Sequence, residues 1–405
     1  MRLRTGHGLV CLYLAGLVVM HGFLAWRVRD LVKQGYPDFT IFYTAGKIVH
    51  LGEADYLYDN REQAAVQDTF VAETRIRMGR LPYNHPPFEA LLYAPLARTS
   101  YQKAFWIWTV FNLVILTVVP ILLRPYISLL QRTSLFVSFL GELAFLPVVV
   151  ALMEGQDTVL LLFCFTCAFV LVQRRSDFLA GCCLGLGMFR FQIVLPFVVI
   201  LLLTKKFRVV RGWAVMSIVL ALVSFIGVSW RGTLAYPTYL WHVQHSMYAH
   251  TAMVSYMPNL HGLCEVLLSA LVPKTFVDGL TVVFSALLIY FVPRAGLGED
   301  HRLFSPLGFS LSLLASLLVS YHSFIYDLPI LLLVMIVSLD HGVRNPRPDR
   351  WGRIAWYGPT VLMSLSPLLV FLLLQDGRVS LLAIVLLFWF GSVCDEVRQE
   401  GSQPS

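Results

Sequence analysis

The sequence predicts an all-α polytopic membrane protein, a single domain (1–405) built as a bundle of about 12 transmembrane helices. Three observations predict it. Apolar residues make up 57% of the 405 positions and charged residues only 14%, whereas an ordinary soluble domain carries about a quarter charged. Apolar runs of about 20 residues recur, each long enough to cross a roughly 30 Å hydrocarbon core as a helix. Lys and Arg gather at the ends of these runs rather than along one helix face, which speaks against nucleic acid as a partner despite the net charge of +7. Helices suit such a chain because they satisfy their own backbone groups in lipid.

The first run, Leu9–Trp26, follows Arg2 and Arg4 as a signal peptide would. No small-x-small cleavage site follows it, and Trp26-Arg27 is a poor one, so an uncleaved anchor is expected. Segment 27–103 is then the first extracytoplasmic loop, part of the same domain. Within it Phe39–Leu51 reads as a helix with aromatic residues at 39, 42 and 43, closed by Gly52. Glu62–Met78 reads as a second, more polar helix, and both are expected to be amphipathic helices along the membrane surface. Further clear runs are Ala104–Leu123, Thr133–Met153, Thr158–Val172, Val209–Val228, Leu303–Val319 and Ile354–Leu374. Glu142 falls within one of them with no evident partner.

Short loops with excess Lys and Arg stay cytoplasmic. The strongest clusters are Arg174-Arg175, then Lys205-Lys206-Arg208-Arg211, then Arg344, Arg347, Arg350 and Arg353. If the first two share a side, the stretch Asp177–Thr204 must cross an even number of times. Two short helices, Phe178–Phe189 and Phe191–Leu203, meeting near Arg190 would do so. One long span would instead leave Arg190 in lipid at an expected cost of several kcal/mol. The fold-back needs protein or a water-filled cavity around its bend. Both termini then lie inside, with 17 Lys and Arg on the cytoplasmic side against 4 outside once segment 27–103, with ten of its own, is set apart. Arg27, Arg29 and Lys33 alone argue for the opposite orientation, but long loops follow the rule poorly.

This topology collects the unusual polar residues on the non-cytoplasmic face. Asp38, after Pro37 and before an apolar run, has the position of a helix N-cap. Leu81-Pro82-Tyr83-Asn84-His85-Pro86-Pro87 makes a rigid, aromatic approach to the second span. Glu154-Gly155-Gln156-Asp157 is a tight turn that caps the fourth span. Arg190 and Gln192 sit at the fold-back tip, and the loop 230–261 carries His242, His245, His250, Asn259 and His261. His242 and His245 are spaced i,i+3, but no Cys and no nearby acid accompanies them, so no metal site is expected. His322, Tyr326 and Asp327 occupy a turn between two apolar spans. Single members of this set read as caps or interface anchors; together, ionisable groups at such depth point to function. The seven cysteines lie in or beside apolar runs without metal-ligand or disulfide spacing.

These segments resemble glycosyltransferase family 87, polyprenyl-phosphate-sugar-dependent enzymes of the GT-C superfamily. The resemblance rests on Asp38 through Tyr43, Gly52 through Tyr58, Tyr83 through Pro95, Gly155-Gln156-Asp157, Arg190-Phe191-Gln192 and Pro258-Asn259, in order. The family has Lys where this chain has Arg190, and the His322 region is looser. The resemblance implies a GT-C-like bundle in the inner (plasma) membrane, with membrane lipids as surroundings. It implies transfer of a sugar, mannose foremost, from a polyprenyl-phosphate sugar donor to a lipid or glycan acceptor outside the cytoplasm. Asp38 or His322 would be the base. Arg190 would hold the donor phosphate, and Tyr83, His85, Gln156, Asp157, Gln192, Asn259, His261, Tyr326 and Asp327 would bind substrate. No cofactor or metal is expected: no Gly-rich nucleotide loop follows a strand, and no Asp-x-Asp stands in the outer loops. A lipid-linked oligosaccharide flippase should show repeated halves and polar residues along its spans. A membrane polymer ligase should carry its large outer loop late in the chain. Neither pattern is present.

Overall fold

The computed structural model describes residues 2–70, 81–243, 252–297, 304–374 and 378–402, which form helices and no strand. The chain begins with α1 (Arg2–Lys33), then α2 (Phe39–His50), α3 (Asn60–Asp68) and α4 (Pro87–Tyr93). After α5 (Tyr101–Leu123) and a short α6 (Ser128–Arg132), α7 (Leu135–Leu143) and α8 (Leu146–Glu154) meet at a 71° bend. Next come α9 (Thr158–Gln173), α10 (Asp177–Leu186), α11 (Phe191–Leu203), α12 (Phe207–Val223) and α13 (Trp230–His242). The remainder is α14 (Leu260–Leu268), α15 (Lys274–Val292), α16 (Pro306–Val319), α17 (Leu331–Arg344), α18 (Arg350–Ser364) and α19 (Ser366–Leu374), these last two bent by 68°, and α20 (Leu382–Ser402). His245, His250, residues 71–80 and Leu303 lie outside the described residues.

Among the described residues, seven helical segments are long and apolar enough to cross a membrane, nine if each bent pair is one span. The expected figure of about twelve is not reached among the described residues, for a physical reason. α9 and α16 have 16 and 14 residues, only about 24 and 21 Å at 1.5 Å per residue. Both are mostly buried against neighbouring helices, so protein covers the backbone that lipid would otherwise have to match. The run Ile325–Arg344 is the most enclosed candidate span, 83% buried.

The segment Asp177–Leu203 is long and apolar enough to be one span, yet its contacts exclude a straight one. A straight helix of 27 residues is about 40 Å long, which would carry α12 far from the start of α10. Instead a Cβ at Gly181 would sit 1.9 Å from the Val209 carbonyl oxygen, and one at Gly212 1.9 Å from that of Phe178. The starts of α10 and α12 therefore touch, and the chain folds back through the tight helical turn Gly187–Arg190. Left-handed turns at Arg175 and Lys205 (both φ 57°) close α9 and α11 next to the two ends of this fold-back. Gly181→Leu should force α10 and α12 apart, lowering the melting temperature in detergent by an amount equivalent to about 1–3 kcal/mol of overpacking. Gly16→Leu, where a Cβ meets nothing within 4 Å, should leave it unchanged.

Contacts sort the helix ends into two groups. At one end Arg174 Nε donates to the Tyr126 hydroxyl (2.8 Å), Gln173 to the Phe304 carbonyl (2.6 Å), and Lys206 lies 5.3 Å from the Phe304 ring. Asp340 there accepts from Ser128 and Leu129 and pairs with Arg344 at 3.0 Å, while Glu396 meets His341 and Arg347. All three basic clusters are represented at this end. The opposite end holds Asp38, the turn after α8, Arg190 and the turn before α17.

α2 departs from the expected surface helix. Nine of its twelve residues are buried, including Thr40, Thr44 and Gly46. A Cβ on Gly46 would meet the Tyr93 carbonyl carbon at 2.6 Å, and Phe39, Phe42 and Tyr43 pack among Tyr93, Tyr101 and Phe105. Its aromatic residues cover protein, not lipid headgroups. α3 keeps a polar, partly exposed face, capped by Asp59.

Candidate active site

Gly155 sets the site's geometry. It ends α8 in the left-handed region (φ 63°), which glycine adopts without strain. A Cβ there would also lie 2.6 Å from the Cβ of Phe39. The turn is thus pressed onto α2, bringing Glu154 and Gln156 to Asp38. The Asp38 backbone N–H donates to Glu154 Oε2 (3.0 Å), and its carboxylate accepts from Gln156 Nε2 (2.7 Å). Asp38 occupies the N-cap position of α2 without making a side-chain cap bond; the capping expected from sequence gives way to the contact with Gln156.

Gln156 is the bridge. Its Oε1 accepts from Arg190 Nη2, and its backbone carbonyl from the Trp108 indole (3.2 Å). Guanidinium on one side and carboxylate on the other leave one sensible orientation for the amide. Asp38 and Arg190 are therefore one amide group apart. Arg190 Nε donates to Asp157 Oδ1 (2.6 Å), and Nη1 lies 3.3 Å from Asp327 Oδ1. Its guanidinium carbon stands 5.8 Å from the Tyr326 ring centre. Arg190 is 3% exposed and Asp157 and Asp327 0%, so a mid-segment arginine is accommodated by two buried acids rather than by lipid.

Behind Asp157 lies a second group. His85 Nδ1 is 2.8 Å from Glu89 Oε2 and 3.8 Å from Asp157 Oδ2. Burial pushes Glu89 up to about 7, against the pull of Asp157 and Arg190. It pushes Asp157 up to about 7 as well, with Arg190 opposing and Glu89 reinforcing. Burial and then the Arg190 charge lower His85 to about 4, and the same two causes lower His322 to about 3. Both imidazoles are neutral at ordinary pH. Nitrogen and carboxylate oxygen atoms of His85, Glu89 and Asp157 all lie within 4.8 Å of one another; Asp157 Oδ1 meets the guanidinium, while its Oδ2 faces His85.

The other residues anticipated from sequence divide by burial. Tyr83 is fully buried and donates to the Pro86 carbonyl (2.9 Å), while the His85 carbonyl accepts from Tyr58 (2.7 Å). Asn259 caps α14 through Gly262 N–H (2.8 Å) and donates to the Ser320 carbonyl (2.8 Å) and Ser323 hydroxyl (3.1 Å), pinning two loops together. His261 stacks on Tyr321 with centroids 4.8 Å apart. The Tyr326 carbonyl accepts from Thr158 (2.5 Å), and Asp327 Oδ2 accepts from Phe324 N–H (2.8 Å). His322 is half-buried, edge-on to Phe324 at 4.7 Å. Gln192 is half-buried in the first turn of α11. Glu89 is absent from the residues singled out in the sequence, and Glu154 is read there only as part of a turn. The i,i+4 spacing of His85 and Glu89 was a usable signal for the first.

A helical membrane bundle with a recessed, largely acidic site around one arginine is the architecture defined here. The model of glycosyltransferase family 87 matches residues 83–320, more than half of the chain, and the protein belongs to that family. It is accordingly a membrane glycosyltransferase. The matched stretch includes Glu89, Gln156, Asp157, Arg190 and Asn259; Asp38, His322, Tyr326 and Asp327 lie outside it. No curated protein and no solved structure matches the chain.

Proposed function

We propose that this GT-C-type enzyme moves a monosaccharide, mannose foremost, from a polyprenyl-phosphate donor to a lipid or glycan acceptor, on the non-cytoplasmic face of the inner (plasma) membrane. The observation that carries the reading is the chain Arg190–Gln156–Asp38, which aims one carboxylate from a buried cation. Asp38 takes the proton of the acceptor hydroxyl. The acceptor oxygen forms its bond to the anomeric carbon as the carbon–phosphate oxygen bond breaks, and polyprenyl phosphate leaves with the electron pair, inverting the centre. The sidedness is supported by the basic clusters at the end opposite the site, which the positive-inside rule assigns to the cytoplasm.

Arg190 positions Asp38 and gives the site its positive charge, a role a metal would otherwise serve, so transfer is metal-independent in this reading. For the donor phosphate to reach the guanidinium, an acid must yield. Asp157, already pushed up to about 7, takes a proton as the phosphate arrives. Protonation is favoured below that value, so the donor KM should be lower at pH 6 than at pH 8. Purified protein reconstituted with radiolabelled polyprenyl-phosphate mannose, glucose or arabinose and a membrane-extract acceptor tests the proposal. Label entering acceptor from the mannose donor, with the stated pH trend, is expected; no transfer from any donor would overturn it.

A further inference from the structure

Between α1, α5 and α8 lies a cavity of about 330 Å³, lined almost wholly by apolar side chains. Residues on both sides of the α7–α8 bend, Leu143 before it and Val149 after it, border the cavity. Its lining runs along α1 from Val18 to Val32, about 21 Å at helical rise. Gly22 on its wall is exposed, so the hollow opens sideways between helices. Beside it, Val19, Phe23, Trp106, Val110 and Val114 turn large apolar surfaces outward. The surrounding medium at that depth is hydrocarbon.

The upper end identifies the occupant. Leu152 and Met153 line the cavity, and the next residue, Glu154, holds the Asp38 backbone. Val32 lines the α1 side six residues before Asp38. Arg29, stacked 4.4 Å over Trp26, stands at the same rim. The upper end of the cavity therefore adjoins the residue that holds Asp38, whereas Arg190 stands on the far side of the Gln156 amide from Asp38. We infer that this groove seats the acyl chain of a lipid acceptor, with Arg29 near its headgroup, so that the acceptor hydroxyl is delivered to Asp38. This assignment rests on the proposed role of Asp38 and adds that the acceptor is membrane-borne.

Two measurements on the full chain in nanodiscs keep it testable. A glycerophospholipid with a diazirine on its acyl chain should crosslink to peptides containing residues 18–32 and 105–113 more strongly than polyprenyl phosphate with a diazirine on its tail does at equal membrane concentration, the difference resting on the groove residues rather than on the side chains that face bulk lipid. Gly22→Trp fills the groove, and a Cβ there meets nothing within 4 Å among the described residues apart from its chain neighbours and its own helix backbone, so the variant should fold. It should cut glycerolipid labelling of those peptides about tenfold, as loss of contact with two methylenes implies. Equal labelling of native protein and variant, or labelling at least as strong by the polyprenyl probe, would overturn the assignment. In the transfer assay Gly22→Trp should raise KM for a long-chain acceptor and leave that for a tail-less sugar acceptor unchanged; an equal effect on both would also overturn it. Crosslinking needs no turnover, so failure of the transfer reaction itself would show separately.

Discussion

Asp38→Asn should abolish transfer while leaving the protein folded. Asparagine keeps a carbonyl oxygen able to accept from Gln156 Nε2, and that amide is held from behind by Arg190. The local hydrogen bonds survive and only the proton acceptor is lost. Removing a general base lowers turnover by about 10²–10⁴-fold, with the donor KM little changed and the melting temperature close to native. His322→Gln should have a smaller effect, because burial and Arg190 lower that imidazole to about 3, a weak base near neutrality. Turnover that survives Asp38→Asn and collapses in His322→Gln would reverse the assignment.

The second large effect is expected at Arg190. Arg190→Ala leaves Asp157 and Asp327 buried without their cation, and breaking such a pair costs about 3–5 kcal/mol. The variant should accumulate poorly and melt far below the native protein. Arg190→Lys should fold, because charge is kept, but one ammonium cannot reproduce the fork that meets Asp157, Asp327 and Gln156 together. A charged hydrogen bond is worth about 1.5–3 kcal/mol, so turnover should fall roughly tenfold to a hundredfold at near-native stability. Full activity in Arg190→Lys would mean that the bond to Gln156 does not aim Asp38.

Much of this was legible in the residues. Clean apolar runs with basic ends gave the bundle, and two basic clusters separated by Asp177–Thr204 implied the fold-back that Gly181 and Gly212 permit. Arg190, Asp157 and Asp327 stood out because ionisable side chains are costly at that depth. What was not legible depends on tertiary partners. Asp38 reads as a cap because capping is local, and nothing local reveals that Gln156 competes for its carboxylate from 118 positions away. α2 reads as a surface helix because its aromatic face suits a headgroup layer as well as it suits Tyr93 and Tyr101. The α7–α8 bend has a signal in Pro147 two residues past the break, but its angle comes from packing. Glu142 stays unassigned: it is 3% exposed, neither carboxylate oxygen has a hydrogen-bond partner among the described residues, and it lies one residue from the bend.

The fold-back of α10 and α11 also bears on how the protein is made. The chain is synthesised from its N-terminus, so Arg190 enters the bilayer when Asp157 is already in place and Asp327 does not yet exist. A lone arginine at that depth is costly to insert, and Asp157 is the acid already synthesised that can offset its charge. Asp327 arrives more than a hundred residues later and tightens an assembly that already holds. Asp157 is thus the partner made ahead of Arg190, and Asp327 the one that follows it.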